Sequence, residues 1–257
     1  MKKPLIIIAG PCVVESRDML FETAYTLKSI LKDLNVRFYF KSSYKKANRS
    51  SSSSFTGIGD DIALGYLKDV HDEYGTQIVT DIHSPDEAGM ASKYVDVLQI
   101  PAFLCRQTDL IQAAAKTKKT INIKKGQFAA PDDMEKAINK AIETGNNDIW
   151  LTERGTTFGY HDLVVDYRSL LIMKAFGYPV IYDATHSLQK PSIGQESGGS
   201  PEFIIPLAKA AIATGVDGIF FETHPDPKSA KSDSATQLPL TKVKDLIEQL
   251  MKIYEVA

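Results

Sequence analysis

The sequence predicts an α/β protein folded as a single (β/α)8 TIM barrel over residues 1–257, and three observations carry that expectation. Eight short apolar, β-rich segments recur along the chain, and nearly all run into a polar or reactive residue. Amphipathic stretches with helical spacing separate them, so strand and helix alternate and parallel βαβ units with right-handed crossovers follow. Reactive groups gathered at the carboxyl ends of many consecutive strands are what an active site on such a barrel requires.

In chain order, residues 5–8 lead to Gly10-Pro11-Cys12, residues 38–40 to Lys41, and residues 77–80 to Asp81. Residues 97–100 lead to Pro101, 121–123 to Lys124, and 149–152 to Glu153-Arg154. Residues 180–182 lead to Asp183 and His186, and 218–221 to Glu222. The helical stretches are 16–32, 60–74, 84–93, 107–116, 131–144, 167–175, 201–214 and 241–254. In the first, Leu20, Ala24, Leu27, Ile30 and Leu31 repeat at helical spacing behind Ser16, a residue suited to cap a helix. Asp86/Glu87 and Asp132/Asp133 fall in first turns, where carboxylates meet the positive end of the helix dipole. Segments 43–60 and 188–200 read as long loops, the second with the Gly, Ser and Pro content of a mobile lid. An open doubly wound sheet has the same alternation. No Gly-x-Gly-x-x-Gly follows the first strand, however, and chemistry at so many strand ends suits a ring better than one switch point.

A chain of 257 residues, 43% hydrophobic and 24% charged, has the apolar material for one large core. Its net charge of -2 gives no general attraction to nucleic acid or anionic membrane, so basic residues must act as local clusters. No apolar run approaches the roughly 20 residues that span a bilayer. The apolar start is cut short by Pro11 and Glu15 and reads as a first strand rather than a signal peptide. Two cysteines, Cys12 and Cys105, are too few for a disulfide framework and favour a reducing compartment, so the cytoplasm is the expected location.

Cys12, His186, Glu222 and Asp233 offer a thiolate, an imidazole and two carboxylates at or beyond the ends of the first, seventh and eighth strands. That donor set suits a divalent transition ion such as Zn²⁺, Fe²⁺ or Mn²⁺ better than Ca²⁺. Spacing alone does not specify it: there is no Cys-x-x-Cys or His-Glu-x-x-His, and a lone Cys near a strand end is commonly a packed small hydrophobe. His83 and His224 stand close enough in sequence to strand ends to enter the site or to serve structure. His71, His161 and Cys105 read as structural or inert. Lys41, Lys46, Arg49, Lys124 and Arg154 form a cationic set at the same end of the barrel. A cation finishing an apolar strand is costly unless an anion meets it, and ammonium and guanidinium groups together suit phosphate and carboxylate. Asp81, Glu153 and Asp183 among them can orient hydroxyls, accept protons or pair with the cations.

At Lys41-Ser-Ser-Tyr-Lys-Lys-Ala-Asn-Arg-Ser-Ser51 the sequence resembles the 3-deoxy-D-manno-octulosonate 8-phosphate (KDO8P) synthases. The resemblance continues through Ala9-Gly-Pro-Cys12, Thr80-Asp-Ile-His83, Gln99-Ile-Pro-Ala-Phe-Leu-Cys-Arg106 and Asn122-Ile-Lys-Lys-Gly-Gln-Phe128. It extends to Thr152-Glu-Arg-Gly155, Asp183-Ala-Thr-His-Ser187, Glu222-Thr-His-Pro-Asp-Pro227 and Ser232-Asp-Ser-Ala-Thr-Gln-Leu-Pro-Leu240. The family has a (β/α)8 barrel and condenses phosphoenolpyruvate with D-arabinose 5-phosphate and water, giving KDO8P and inorganic phosphate. By matched position, the resemblance implies that Lys124 and Arg154 hold the phosphoenolpyruvate phosphate, with Lys41 and Ser43 near its carboxylate. Gln99 and Ala102 join the substrate-binding set, and Lys46 lies between the substrates. Asn48, Arg49 and Ser50 are expected to bind arabinose 5-phosphate, whose phosphate Arg106 of a neighbouring subunit reaches in a homotetramer. Lys46, Asp81, Cys12 and His186 are then the groups nearest the chemistry.

The related 3-deoxy-D-arabino-heptulosonate 7-phosphate (DAHP) synthases use erythrose 4-phosphate and typically carry Lys-Pro-Arg-Thr where this chain reads Lys46-Ala-Asn-Arg-Ser50. The Asn version favours the five-carbon aldose. Metal-independent KDO8P synthases have Asn in place of the first-strand Cys, so Cys12 together with His186, Glu222 and Asp233 implies a metal-dependent member. Two other classes remain to be weighed: a Schiff-base aldolase, for which Lys124 is the candidate amine, and a non-catalytic phosphate-sugar binding protein. The metal set has no evident purpose in the first and is excessive for the second.

Overall fold

The computed structural model describes residues 2–47, 54–191 and 198–257. Its centre is a closed parallel barrel of β1 (Leu5–Gly10), β2 (Val36–Lys41), β3 (Gln77–Asp81), β4 (Val97–Ile100), β5 (Thr120–Lys124), β6 (Ile149–Glu153), β7 (Val180–Asp183) and β8 (Gly218–His224). Each strand pairs with its predecessor, and β1 closes the ring on β8, with Ile6 opposite Gly218 and Gly10 opposite Glu222. Around it lie α1 (Arg17–Leu31), α2 (Asp60–Tyr74), α3 (Pro85–Ala91), α4 (Thr108–Lys116), α5 (Met134–Ile142), α6 (Tyr167–Lys174), α7 (Ile204–Ala213) and α8 (Val243–Val256). Ser16 caps α1 as expected, accepting a hydrogen bond from the Met19 amide.

Where the fold departs from expectation, the causes are local. The helices expected from 131, 201 and 241 open instead on 3-10 turns at Pro131–Asp133, Pro201–Phe203 and Leu240–Lys242. In the first two a proline occupies the first position, where its missing N–H costs nothing. β8 continues past residue 221 because Leu238–Pro239 pairs in parallel with Thr223 and His224. The segment after β6 holds an antiparallel pair, Thr156–Thr157 with Leu163–Val164, too short to register as alternation. Within the expected 188–200 loop, Gln189–Lys190 pairs with Gly198–Gly199.

Strand alternation divides the apolar residues into two layers. Inward positions Ile6, Ile8, Tyr39, Val79, Val97, Trp150, Ile181 and Phe220 form a separate cluster inside the barrel. Tyr39 meets Trp150 edge-on, with centroids 4.9 Å apart. Outward positions such as Ile7, Phe40, Leu98, Ile123, Leu151 and Phe221 pack beneath the helices with Leu20, Leu64 and Ile247. Each such side chain contributes about 1.5–3 kcal/mol when fully buried. The inner cluster plugs the barrel. Toward the carboxyl ends of the strands the same inward alternation brings polar residues: Lys41, Asp81, Gln99, Lys124, Arg154, Asp183 and Glu222.

Candidate active site

β2 and the residues after it supply two ammonium groups to one hydroxyl. Lys41 Nζ and Lys46 Nζ donate to Ser43 Oγ at 3.0 and 2.9 Å, and Ser43 donates to Asp81 Oδ2. Lys41 is 1% exposed and lies 3.6 Å from both Asp81 Oδ1 and Glu222 Oε1. Burial acts to raise the Asp81 pKa, but Lys41 and Lys46 outweigh it and hold the carboxyl well below the usual carboxylate range. Burial acts to lower the Lys46 pKa, yet the surrounding acidic groups carry it upward, so the ammonium stays protonated. Gly10 makes room for this loop: a Cβ there would come within 2.1 Å of the Lys41 carbonyl oxygen.

The second cation pair stands at the ends of β5 and β6. Lys124 Nζ lies 2.8 Å from Asp183 Oδ2 and 3.9 Å above the Phe220 ring centroid. Arg154 Nη2 donates to Gln189 Oε1 at 2.9 Å, whereas its buried Nη1 has no hydrogen-bond partner among the described residues. Burial lowers the Lys124 pKa despite Asp183, and burial likewise lowers that of Arg154, whose guanidinium nonetheless remains charged. A buried guanidinium nitrogen without an acceptor is a costly arrangement in isolation and fits an anion taken from outside.

Asp183 anchors this side. Its Oδ1 accepts from the amides of Thr185 and His186 at 3.1 and 2.9 Å and from Thr185 Oγ1 at 3.2 Å. Burial acts to raise its pKa, but His186 and Lys124 hold it well below the usual range. A depressed carboxyl contributes stability above its unfolded pKa, near 3.9, and loses it as pH falls through the folded value. Acid unfolding of the wild type should therefore steepen below about pH 4. Asp183→Asn should remove part of that dependence and, by leaving Lys124 buried without its counter-ion, cost about 3–5 kcal/mol in urea unfolding at pH 7. An unchanged urea midpoint would show that the pair contributes nothing to the fold.

Cys12, His186, Glu222 and Asp233 converge beside Lys41. Ligand atoms of Cys12, Glu222 and Asp233 lie within 4.8 Å of one another. His186 Nε2 is 3.5 Å from Glu222 Oε1 and 3.7 Å from Asp233 Oδ2. Cys12 Sγ is 2.9 Å from Ser232 Oγ and 3.2 Å from Asp233 Oδ2. Asp233 reaches the mouth through a left-handed backbone, φ 49°, unusual for a residue other than glycine. Both Glu222 oxygens are buried and accept no hydrogen bond from a described residue, with Lys41 Nζ 3.6 Å from Oε1 as an ion-pair neighbour, an arrangement that leaves the carboxylate free to take a further cation. His186 Nδ1 stands 2.9 Å from Asp183 Oδ2, though not in hydrogen-bonding alignment. A carboxylate behind one ring nitrogen directs the other toward a metal. Burial, then Asp233 and Glu222, push the Cys12 thiol well up; a bound cation reverses that field and favours the thiolate. The donor set therefore fits a divalent transition ion.

Other expected residues fall differently. In β4 the inward residue at the mouth is Gln99, 1% exposed, and not Pro101, because Pro101 follows the strand and leads into the turn Ala102–Leu104. The Gln99 Nε2 amide is buried without an acceptor among the described residues, and Ala102, three positions on, is buried too. Arg106 is exposed, beyond that turn. Asn48, Arg49 and Ser50 lie outside the described residues. Glu153 faces away from the mouth, toward Lys125 and the Gly155 amide. His83 is held by Glu87, His224 Nδ1 by the Asp226 backbone, His71 Nδ1 lies 3.0 Å from the Thr76 carbonyl, and His161 stands on an exposed turn. Cys105 is buried. Sequence reasoning missed Gln189, which no pattern marks, and Phe220, which alternation from Glu222 could have placed inside the barrel.

The DAHP synthetase I family model matches residues 1–256. A 2-dehydro-3-deoxyphosphooctonate aldolase of Campylobacter jejuni is 50% identical over 266 residues, covering 99% of this chain and 98% of the relative. The proteins of that name from Bartonella bacilliformis and Protochlamydia amoebophila are 53% and 51% identical, covering 97% and 99% of this chain and 89% and 93% of the relatives. Similarity of that extent spans the barrel and every strand end that carries the site. The chain belongs to the DAHP synthetase I family and, within it, to the 2-dehydro-3-deoxyphosphooctonate aldolases, the KDO8P synthases.

Proposed function

We propose that the protein condenses phosphoenolpyruvate with D-arabinose 5-phosphate and water to give KDO8P and inorganic phosphate. The observation that carries this reading is the placement of two cation groups, Lys41/Lys46 and Lys124/Arg154, around one barrel mouth in a member of this family. A doubly charged acid with phosphate at one end and carboxylate at the other fits between them. Lys124 and Arg154 would take the phosphate, with Arg154 Nη1 as a donor that no described residue uses. Lys41 and Ser43 would take the carboxylate, and Gln99 and Ala102 would border the same substrate.

In that pose C3 of phosphoenolpyruvate attacks the aldehyde carbon, water adds at C2, and the C2–O bond to phosphate breaks. Lys46, an ammonium held beside Ser43, would give a proton to the aldehyde oxygen. Asp81 keeps Ser43 and Lys41 in register. Holding both reactants in such a geometry can supply about 7–11 kcal/mol of the barrier. Cys12, His186, Glu222 and Asp233 would hold a divalent transition ion. When bound, it would supply Lewis-acid polarisation of an oxygen at the mouth. Asn48, Arg49 and Ser50 would bind the sugar phosphate, with Arg106 contributed by a neighbour in a homotetramer. Among the described residues no helix is long and apolar enough to cross a membrane.

The aldose is the deciding variable. Phosphate release with phosphoenolpyruvate should be much faster with arabinose 5-phosphate than with erythrose 4-phosphate, because the Lys46-Ala-Asn-Arg-Ser segment is of the five-carbon type. Equal or faster turnover with the four-carbon sugar would overturn the assignment. A Schiff-base route through Lys124 is disfavoured by its tight pairing with Asp183, and borohydride trapping with a carbonyl substrate should label nothing.

A further inference from the structure

Two charged dipeptides, Lys124-Lys125 and Glu153-Arg154, end neighbouring strands β5 and β6, and alternation sends their members to opposite sides of the barrel wall. Lys124 and Arg154 face the mouth. Lys125 and Glu153 face the layer beneath the helices, where they are 0% and 1% exposed and pair at 3.5 Å. No anionic substrate in the mouth reaches them. Yet each is satisfied: the three donors of Lys125 Nζ meet the carbonyls of Gly126 and Ala129 at 3.3 and 3.2 Å and Thr156 Oγ1 at 3.0 Å. Glu153 Oε1 accepts from the Gly155 amide at 2.7 Å, and Oε2 accepts from the Ser169 hydroxyl of α6. The Lys125 amide also donates to the Thr152 carbonyl at 2.8 Å.

A fully buried ion pair is weak support for a fold, since well-packed apolar residues of similar volume often replace one without loss. What this pair does is mechanical. It ties the chain leaving β5 to the chain leaving β6, and both to α6, directly behind the two residues that face the mouth as a cation pair. Among the described residues, Asp183 and Gln189 are the hydrogen-bonding partners of Lys124 and Arg154 on the mouth side. The β5–β6 ladder, with Lys124 opposite Thr152, brings their backbones together, and this network braces the strand ends from behind.

We propose that the Lys125–Glu153 pair is a positioning device that fixes the spacing of Lys124 and Arg154 for the phosphate of phosphoenolpyruvate. The inference rests on the reaction proposed above. It concerns only one of the two cation groups, because no bond of this network reaches Lys41, Ser43 or Lys46. Loosening it should therefore weaken phosphoenolpyruvate and inorganic phosphate together and leave the sugar phosphate unaffected.

The test compares wild type with Lys125→Met/Glu153→Gln, which removes both charges at nearly constant shape and leaves neither one unpaired. Calorimetric titration with phosphoenolpyruvate and with inorganic phosphate should give Kd values raised about tenfold, the scale of one charge-assisted contact. KM for arabinose 5-phosphate should stay within about twofold while KM for phosphoenolpyruvate rises. A purely structural role would lower the melting temperature or active fraction without this split. A folded double variant that binds phosphoenolpyruvate like wild type, or whose two KM values rise together, overturns the proposal. If the double variant does not fold, Thr156→Val and Ser169→Ala decide, because each removes one tie and leaves both charges. Each should raise the phosphoenolpyruvate Kd about threefold, and unchanged values in both overturn it. Wild-type protein that binds no phosphoenolpyruvate would refute the proposed reaction instead.

Discussion

Chelation followed by verified metal removal is expected to abolish most of the condensation activity, and a divalent transition ion added back is expected to restore it. Candidate ligand atoms of Cys12, Glu222 and Asp233 lie within 4.8 Å of one another, and His186 Nε2 approaches Glu222 and Asp233 at 3.5 and 3.7 Å. Glu222 sits buried with neither oxygen hydrogen-bonded by a described residue. Lewis-acid assistance is worth several kcal/mol, and each 1.4 kcal/mol is tenfold, so the loss should be at least about a hundredfold. Phosphate release measured alongside elemental analysis checks it; full activity in protein shown to be metal-free would place this chain with the metal-independent relatives. Cys12→Asn separates the thiolate from the rest of the site. The Asn amide can still meet Ser232 and Asp233, the present neighbours of the sulfur. Metal affinity should fall, with partial activity retained.

The barrel was legible because its strands are runs of apolar residues flanked by helical periodicity, and both signals are local. The division of charges at strand ends was only half legible. Lys124 and Arg154 were marked by their position after apolar runs, but the same rule marked Glu153, which turns away from the mouth to Lys125. Period-two alternation from Trp150 inside the barrel through Thr152 to Arg154 would have made the distinction, had the strand's facing been known. Asp233 was legible as a candidate but its position was not. It lies nine residues past the end of β8, and its approach to Cys12 depends on a left-handed backbone and on the loop's return across the barrel. Its place in the loop after the eighth strand made it a candidate, and the resemblance, not spacing, favoured it as a ligand. The additional pairings at 156–164 and 189–199 were missed because two-residue strands leave no periodic trace.

Arg106→Ala is expected to raise the requirement for arabinose 5-phosphate far more than that for phosphoenolpyruvate. Arg106 is exposed, just past the turn Ala102–Leu104 that follows β4, and Phe103 in that turn is 56% exposed, as is Phe128 after β5. Large exposed aromatics near a cation suit a surface that another copy of the chain covers. On the proposed arrangement the cation would meet the neighbour's sugar phosphate and not the phosphate assigned to Lys124 and Arg154. Loss of one charge-assisted contact costs about 1.5–3 kcal/mol, hence about ten- to hundredfold in KM for the sugar. Sharing between subunits has a direct consequence for mixtures. Arg106→Ala and Arg49→Ala homo-oligomers each lack one arginine at every site. After subunit exchange, some sites regain both arginines and others lose both. At sugar concentrations well below the parents' raised KM, activity should therefore recover only in hybrids whose exchange has been verified, for instance by native mass spectrometry. Confirmed hybrids that turn over no faster than their parents at that low sugar concentration would mean that Arg106 does not complete a neighbouring site.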